Sequence, residues 1–146
     1  MMQKFVLQRA RAPVWGFKNP KTALTIECWL PHLPEPRFIV TYRHPLDNAQ
    51  AMSGIYRMPF TEALRITEQY NQNIARVLAN NPTIPSVVIR FEDIVEKYLD
   101  MIELLEIFLE VEASDEARQE IAMMIRKGHT TTERRSWWLP QTQCLS

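Results

Sequence analysis

The stretch Arg37-Phe-Ile-Val-Thr-Tyr-Arg-His-Pro-Leu-Asp47 constrains this chain more than any other. Phe38–Tyr42 is a nearly continuous apolar and β-branched run without polar alternation, which predicts a short strand covered on both faces, as in a parallel sheet. Pro45 suits the first turn of a following helix, because its missing N–H costs nothing there and its fixed φ is already helical. The spacing predicts that helix over residues 46–56. Arg43 then stands between a strand's carboxyl end and a helix's amino end, a place where open α/β sheets bind ligands and free backbone N–H groups favour anions. A guanidinium there adds a fork of donors suited to phosphate, each charge-assisted bond contributing about 1.5–3 kcal/mol. The local pattern is equally consistent with an arginine that caps the sheet or pairs with Asp47.

The rest of the chain is punctuated by proline. Residues 1–12 read as a helix that Pro13 stops, and the bulky run Val14-Trp-Gly-Phe17, closed by Asn19-Pro20, reads as another buried strand. Lys18 therefore stands at a strand's carboxyl end as Arg43 does. Ala23, Ile26 and Leu30 have helical spacing over residues 22–30, and Pro31-His-Leu-Pro-Glu-Pro36 predicts a loop. Phe60–Asn80 is a long helix with Thr61 as its cap and Leu64, Thr67, Tyr70, Ile74, Val77 and Leu78 on one face. Residues 87–91 form a third buried strand. An amphipathic helix follows from Ile94 to Leu109, and Ser114 with Asp115 and Glu116 starts another. Alternating strands and helices predict a parallel α/β sheet with right-handed crossovers.

The 146 residues suit a single domain spanning 1–146, and 46% hydrophobic with 23% charged residues is ordinary globular composition. Formal net charge is zero, which gives no support to nucleic acid or an anionic membrane as partner. The charges are nonetheless uneven: up to residue 43, Lys4, Arg9, Arg11, Lys18, Lys21, Arg37 and Arg43 face only Glu27 and Glu35. Arg126, Lys127, Arg134 and Arg135 make the tail basic again, and together the two ends suit a small polyanion. Cys28 and Cys144, the only cysteines, make neither a disulfide framework nor a zinc site, so a cytoplasmic setting is the expectation. No run approaches the ~18 apolar residues of a membrane span.

Several of these motifs coincide with one family. Arg43-His-Pro-Leu-Asp47 resembles the 3′-phosphate motif of the sulfotransferases that use 3′-phosphoadenosine 5′-phosphosulfate, a strand ending in Arg-x-Pro-x-Asp and a helix. Phe91-Glu-Asp-Ile94 is similar to their later Tyr-Glu-Asp-Leu, and Arg126-Lys-Gly128 to the Arg-Lys-Gly near their carboxyl end. Trp15-Gly-Phe-Lys-Asn-Pro-Lys-Thr22 looks like their Lys-x-Pro segment. The resemblance implies a three-layer parallel sheet of the P-loop nucleotide-binding type, incomplete at the amino-terminal side. It implies that Arg43, Arg126, Lys127 and Gly128 hold the 3′-phosphate and that Lys18 lies near the transferred sulfuryl group. No metal is needed, and the acceptor would be a small molecule or a glycan.

Three departures qualify the match. Ala51 stands where the family places a serine eight residues after its arginine, and Ser53 is rotated by ~200° from that position on a helix. Asn19 stands where cytosolic members carry a basic histidine, and His32, His44 and His129 read better as surface or turn residues. The glycine-containing loop that cradles the 5′-phosphosulfate has no counterpart, because Gly16, Gly54 and Gly128 are the only glycines and none lies in such a loop. The chain thus reads as the carboxyl-terminal portion of a sulfotransferase, whose uncovered sheet edge invites self-association. The alternative is a non-catalytic nucleotide-binding or interaction module of the same fold. A nucleoside-phosphate kinase is disfavoured by the same missing loop. Trp137 and Trp138 suit either packing or the lining of a nucleotide or acceptor pocket.

Overall fold

The structure, a computed structural model, describes residues 2–9, 12 and 14–130, with side chains described for residues 5–9, 12 and 14–125. Helix α1 (Met2–Arg9) is followed by α2 (Thr22–Trp29), which tightens into a 3-10 turn at Leu30–His32. Strand β1 (Phe38–Tyr42), helices α3 (Pro45–Tyr56) and α4 (Phe60–Asn80), strand β2 (Ser86–Arg90) and helices α5 (Phe91–Glu96), α6 (Tyr98–Leu109) and α7 (Asp115–Thr130) complete the order. Among the described residues the strands form a two-stranded parallel sheet. These elements gather into two compact units. Among the described residues, the first holds the chain up to Phe38 and His44–Pro85, and the second holds Ile39–Arg43 and residues 86–130.

In the first unit, α3 and α4 pack as a helical hairpin. Ala49 and Ala63, both fully buried, let two backbones approach where larger side chains would hold them apart. Thr67, also buried, accepts a hydrogen bond at its Oγ1 from Asn48 Nδ2 at 3.2 Å, so its hydroxyl is satisfied within the hairpin. The turn between the helices closes through Arg57 in the left-handed conformation (φ 54°), and Ser53 Oγ donates to the Met58 carbonyl at 2.7 Å. Pro59, rather than Thr61, precedes the first residue of α4, and no side chain caps that helix. Fixed φ at the proline starts the helix without a hydroxyl.

Helix α2 lies against α4. Arg76 grips Glu27 with two donors, Nη1 to Oε1 at 2.9 Å and Nη2 to Oε2 at 2.8 Å, and Asn73 donates to the Ala23 carbonyl. The Arg76 hydrogen bond holds the Glu27 carboxyl below its usual range, with the guanidinium charge adding to the effect.

Residues 14–17 do not form the expected buried strand. Their exposure alternates with the period of a strand, Trp15 and Phe17 half-buried and Val14 and Gly16 exposed, but they enter no ladder. A strand needs a neighbour for its N–H and C=O groups, whereas this segment is held by rings. Trp15 stacks on Phe17 at 6.1 Å between centroids, Phe17 meets Trp29 at 4.9 Å, and Phe5 of α1 touches all three edge-on.

In the second unit, β2 ends one residue earlier than its apolar run suggests, because Phe91 already belongs to α5. The amphipathic stretch expected as one helix is two, broken at Lys97 (φ −129°, ψ 43°); periodicity alone does not register a one-residue break when both pieces keep apolar residues. Ile102 is buried while Leu99 stays exposed. Ser114 caps α7 as its sequence predicts, its Oγ accepting the Ala117 N–H at 3.3 Å. Glu106 accepts the Ala113 N–H at 2.7 Å and pairs with Arg118 at 2.7 Å, tying the end of α6 to the start of α7. Neither face of the sheet is fully covered, for Ile39 and Val88 remain 44% and 58% exposed. An uninterrupted apolar run predicts a strand covered on both sides, yet two strands alone leave alternate side chains outward. No helix among the described residues is long and apolar enough to cross a membrane.

Two measurements check this packing. Replacing Ala63 by Leu forces extra methylenes into the closed α3–α4 contact and lowers unfolding stability by about 1–3 kcal/mol in denaturant titrations. Glu27, with its folded pKa depressed, contributes stability that is present above its unfolded pKa and lost as pH falls through the folded one. Glu27→Gln should therefore melt below the parent at neutral pH, with the gap narrowing as the pH falls through and below the ordinary carboxylate range.

Candidate functional site

Arg43 is the residue directly after β1, and Phe91 is the residue directly after β2. Paired parallel strands run in the same direction, so residues that follow them emerge at one edge of the sheet. There the Arg43 guanidinium carbon lies over the Phe91 ring, 4.7 Å from its centroid. That is well within the distance at which a ring quadrupole attracts a cation. Arg43 Nε is closed off from solvent and has no hydrogen-bond partner among the described residues. An unmet buried donor costs about 1–3 kcal/mol, more when it carries charge, and an anionic acceptor removes that cost. The Nε of Arg118 is likewise unmet, but its guanidinium is already anchored on Glu106 at 2.7 Å. No carboxylate partners Arg43 among the described residues. A phosphate or other oxyanion suits this guanidinium, whose Nη groups, unlike Nε, are not among the buried donors without a partner.

The backbone next in sequence matches this chemistry. His44 takes the N-cap position of α3 with ψ 129°, Pro45 is its first residue, and no side chain caps the helix. The first amides of α3 thus begin immediately after Arg43 in the chain, with no intrahelical acceptor of their own. His44 and His32 are exposed, in keeping with surface roles. Ser53 uses its hydroxyl on the Met58 carbonyl, so it serves the hairpin turn.

Lys18 belongs to the first unit. It is exposed, on the opposite parity from Trp15 and Phe17, so the packing that buries those rings turns the lysine outward. Asn19 starts α2: its Oδ1 accepts the Lys21 N–H at 2.9 Å and its carbonyl accepts the Thr22 N–H at 2.9 Å. Asparagine at this place is explained by the turn, since its short side chain closes such a loop on itself. The backbone of residues 126–128 is part of α7, while the side chains of Arg126 and Lys127 lie outside the described residues, as do Trp137 and Trp138. Among the described residues there is no group of three or more His, Cys, Asp or Glu able to hold a metal ion.

Arg43 stands out in the sequence, whereas Phe91, in the motif Phe91-Glu-Asp-Ile94, is not marked there as its partner. The sequence carried part of the signal, since Arg43 directly follows one predicted strand and Phe91 closes another, but the one-residue shift of the β2 end that puts Phe91 beyond its strand came from the structure.

A family model described as the sulfotransferase family matches residues 1–115, a span that takes in Lys18, Arg43 and Phe91 and ends before Arg126. No curated protein matches the chain, and no solved structure does. With most of its length under that match, including both strand ends that frame Arg43 and Phe91, the chain belongs to the sulfotransferase family.

Proposed function

We propose that this chain binds the adenosine 3′,5′-bisphosphate part of 3′-phosphoadenosine 5′-phosphosulfate and serves sulfuryl transfer to a small-molecule or glycan acceptor. The three-layer P-loop type of sheet is part of the same reading. The observation that carries it is the Arg43 guanidinium at the carboxyl end of β1, backed by Phe91 and with a sheltered Nε that has no acceptor among the described residues. When bound, the nucleotide supplies the activated sulfuryl group. Arg43 neutralises the 3′-phosphate, and Arg126, Lys127 and the backbone at Gly128 add to that grip. The exposed ammonium of Lys18 offsets negative charge that builds on the bridging and leaving oxygens, a role for a positioned cation in a group transfer of this type. No residue of the chain is asked to bind a metal, because the charges to be stabilised are met by cationic side chains.

Isothermal titration with adenosine 3′,5′-bisphosphate tests the binding step. Arg43→Ala should weaken affinity by about 2 kcal/mol or more, roughly 30-fold, while Arg65→Ala, on the exposed side of α4, leaves it unchanged. Equal losses in both variants would point to nonspecific charge, and an unaltered Arg43→Ala affinity would overturn the assignment. Transfer of a radiolabelled sulfuryl group to an acceptor then separates the enzyme from its rival. Binding without turnover is the behaviour of a nucleotide-binding module that does not catalyse.

A further inference from the structure

An arginine side chain ordinarily samples many rotamers, and a guanidinium that is to meet a phosphate with two donors gains from being held in advance. From the geometry at the end of the sheet we infer that Phe91 is the positioning residue for Arg43. Its ring fixes the guanidinium plane at the β1 edge and so sets the affinity of the phosphate site without itself touching phosphate. This rests on the reading of Arg43 as the phosphate ligand. The ring lies under the guanidinium carbon at 4.7 Å, and the Arg43 Nε–H is shut away from solvent with no acceptor among the described residues. A donor in that position would normally turn outward to water, so something other than a hydrogen bond keeps it there. The aromatic face is the group that the structure provides.

The placement follows from the backbone. Phe91 is the first residue of α5 and Arg90 the last of β2, so the ring is carried on a rigid junction between a strand and a helix. Arg43 is at the corresponding junction of the neighbouring parallel strand. Phe91 is 39% exposed, so its ring is not enclosed by the core and one part of it meets the guanidinium. The neighbouring cation, Arg90, is engaged with Glu92 at 3.8 Å and is 65% exposed, so it does not compete for the ring in this arrangement.

Two readouts test the inference, one of them independent of nucleotide. In nitrogen-proton correlation spectra of the free protein, the Arg43 Nε–Hε signal, assigned by its loss in Arg43→Lys, should be shifted by the ring and slow to exchange. Phe91→Leu, which keeps an apolar side chain of similar bulk, should abolish both properties, and Phe91→Tyr should restore them. An Arg43 signal that is the same in the parent and in Phe91→Leu overturns the inference. The second readout is titration with adenosine 3′,5′-bisphosphate. Phe91→Leu should weaken binding about five- to tenfold, Phe91→Tyr should bind close to the parent, and Phe91→Leu added to Arg43→Ala should cause no further loss. A further loss in that double variant would mean that Phe91 acts on the nucleotide or the fold by itself and not through Arg43. If the spectra behave as expected but the parent does not bind the nucleotide, the positioning role stands and the assignment of the phosphate ligand falls.

Discussion

Parallel pairing of β1 with β2 is the constraint from which the rest follows. Two strands that run the same way must be joined by a crossover, and here the crossover is the whole of α3 and α4. Because both strands finish at one edge, the side chains that follow them are neighbours despite a separation of almost fifty positions. Arg43 and Phe91 meet for this reason and no other. An antiparallel pair would have sent them to opposite edges, and the guanidinium would have had no ring beneath it. The family match extends across both of these junctions.

Helix α4 shows how a crossover is stabilised with little bulk. The buried positions of the α3–α4 hairpin are Ala49, Ala63, Thr67 and Val77, and no large side chain is fully enclosed among the described residues. Close helix packing through small residues gains dispersion contacts between backbones where a core of large side chains would gain area. The polar groups are absorbed locally: Asn48 on Thr67, Ser53 on the Met58 carbonyl, Arg76 on Glu27. Residues that a motif comparison reads as departures have jobs of this kind. Ser53 closes a turn, and Asn19 opens α2.

The amino-terminal segment separates period from pairing. Residues 14–19 alternate in exposure as a strand does, and the alternation has consequences even without a ladder. It directs Trp15 and Phe17 to Phe5 and Trp29, and it directs Lys18 away from them. Aromatic contacts between 4.9 and 6.3 Å replace the hydrogen bonds that a third strand would have made.

The sequence by itself determined the parts governed by neighbours along the chain. Phe38–Tyr42 is a strand because of its β-branched run, Pro45 opens α3 because its φ is preset, Ser114 caps α7 because its hydroxyl reaches an unmet amide, and Arg43 is marked by standing between a strand and a helix. Contributions that needed a spatial partner were beyond it. Whether residues 14–17 pair, whether the stretch from Phe91 to Leu109 bends at Lys97, whether Ile39 and Val88 are covered, and which group lies under the Arg43 guanidinium all depend on what arrives from elsewhere in the chain. Local propensity acts over a few residues, but a ladder, a ring contact or a buried face forms only when distant segments meet, and tertiary structure alone decided those meetings.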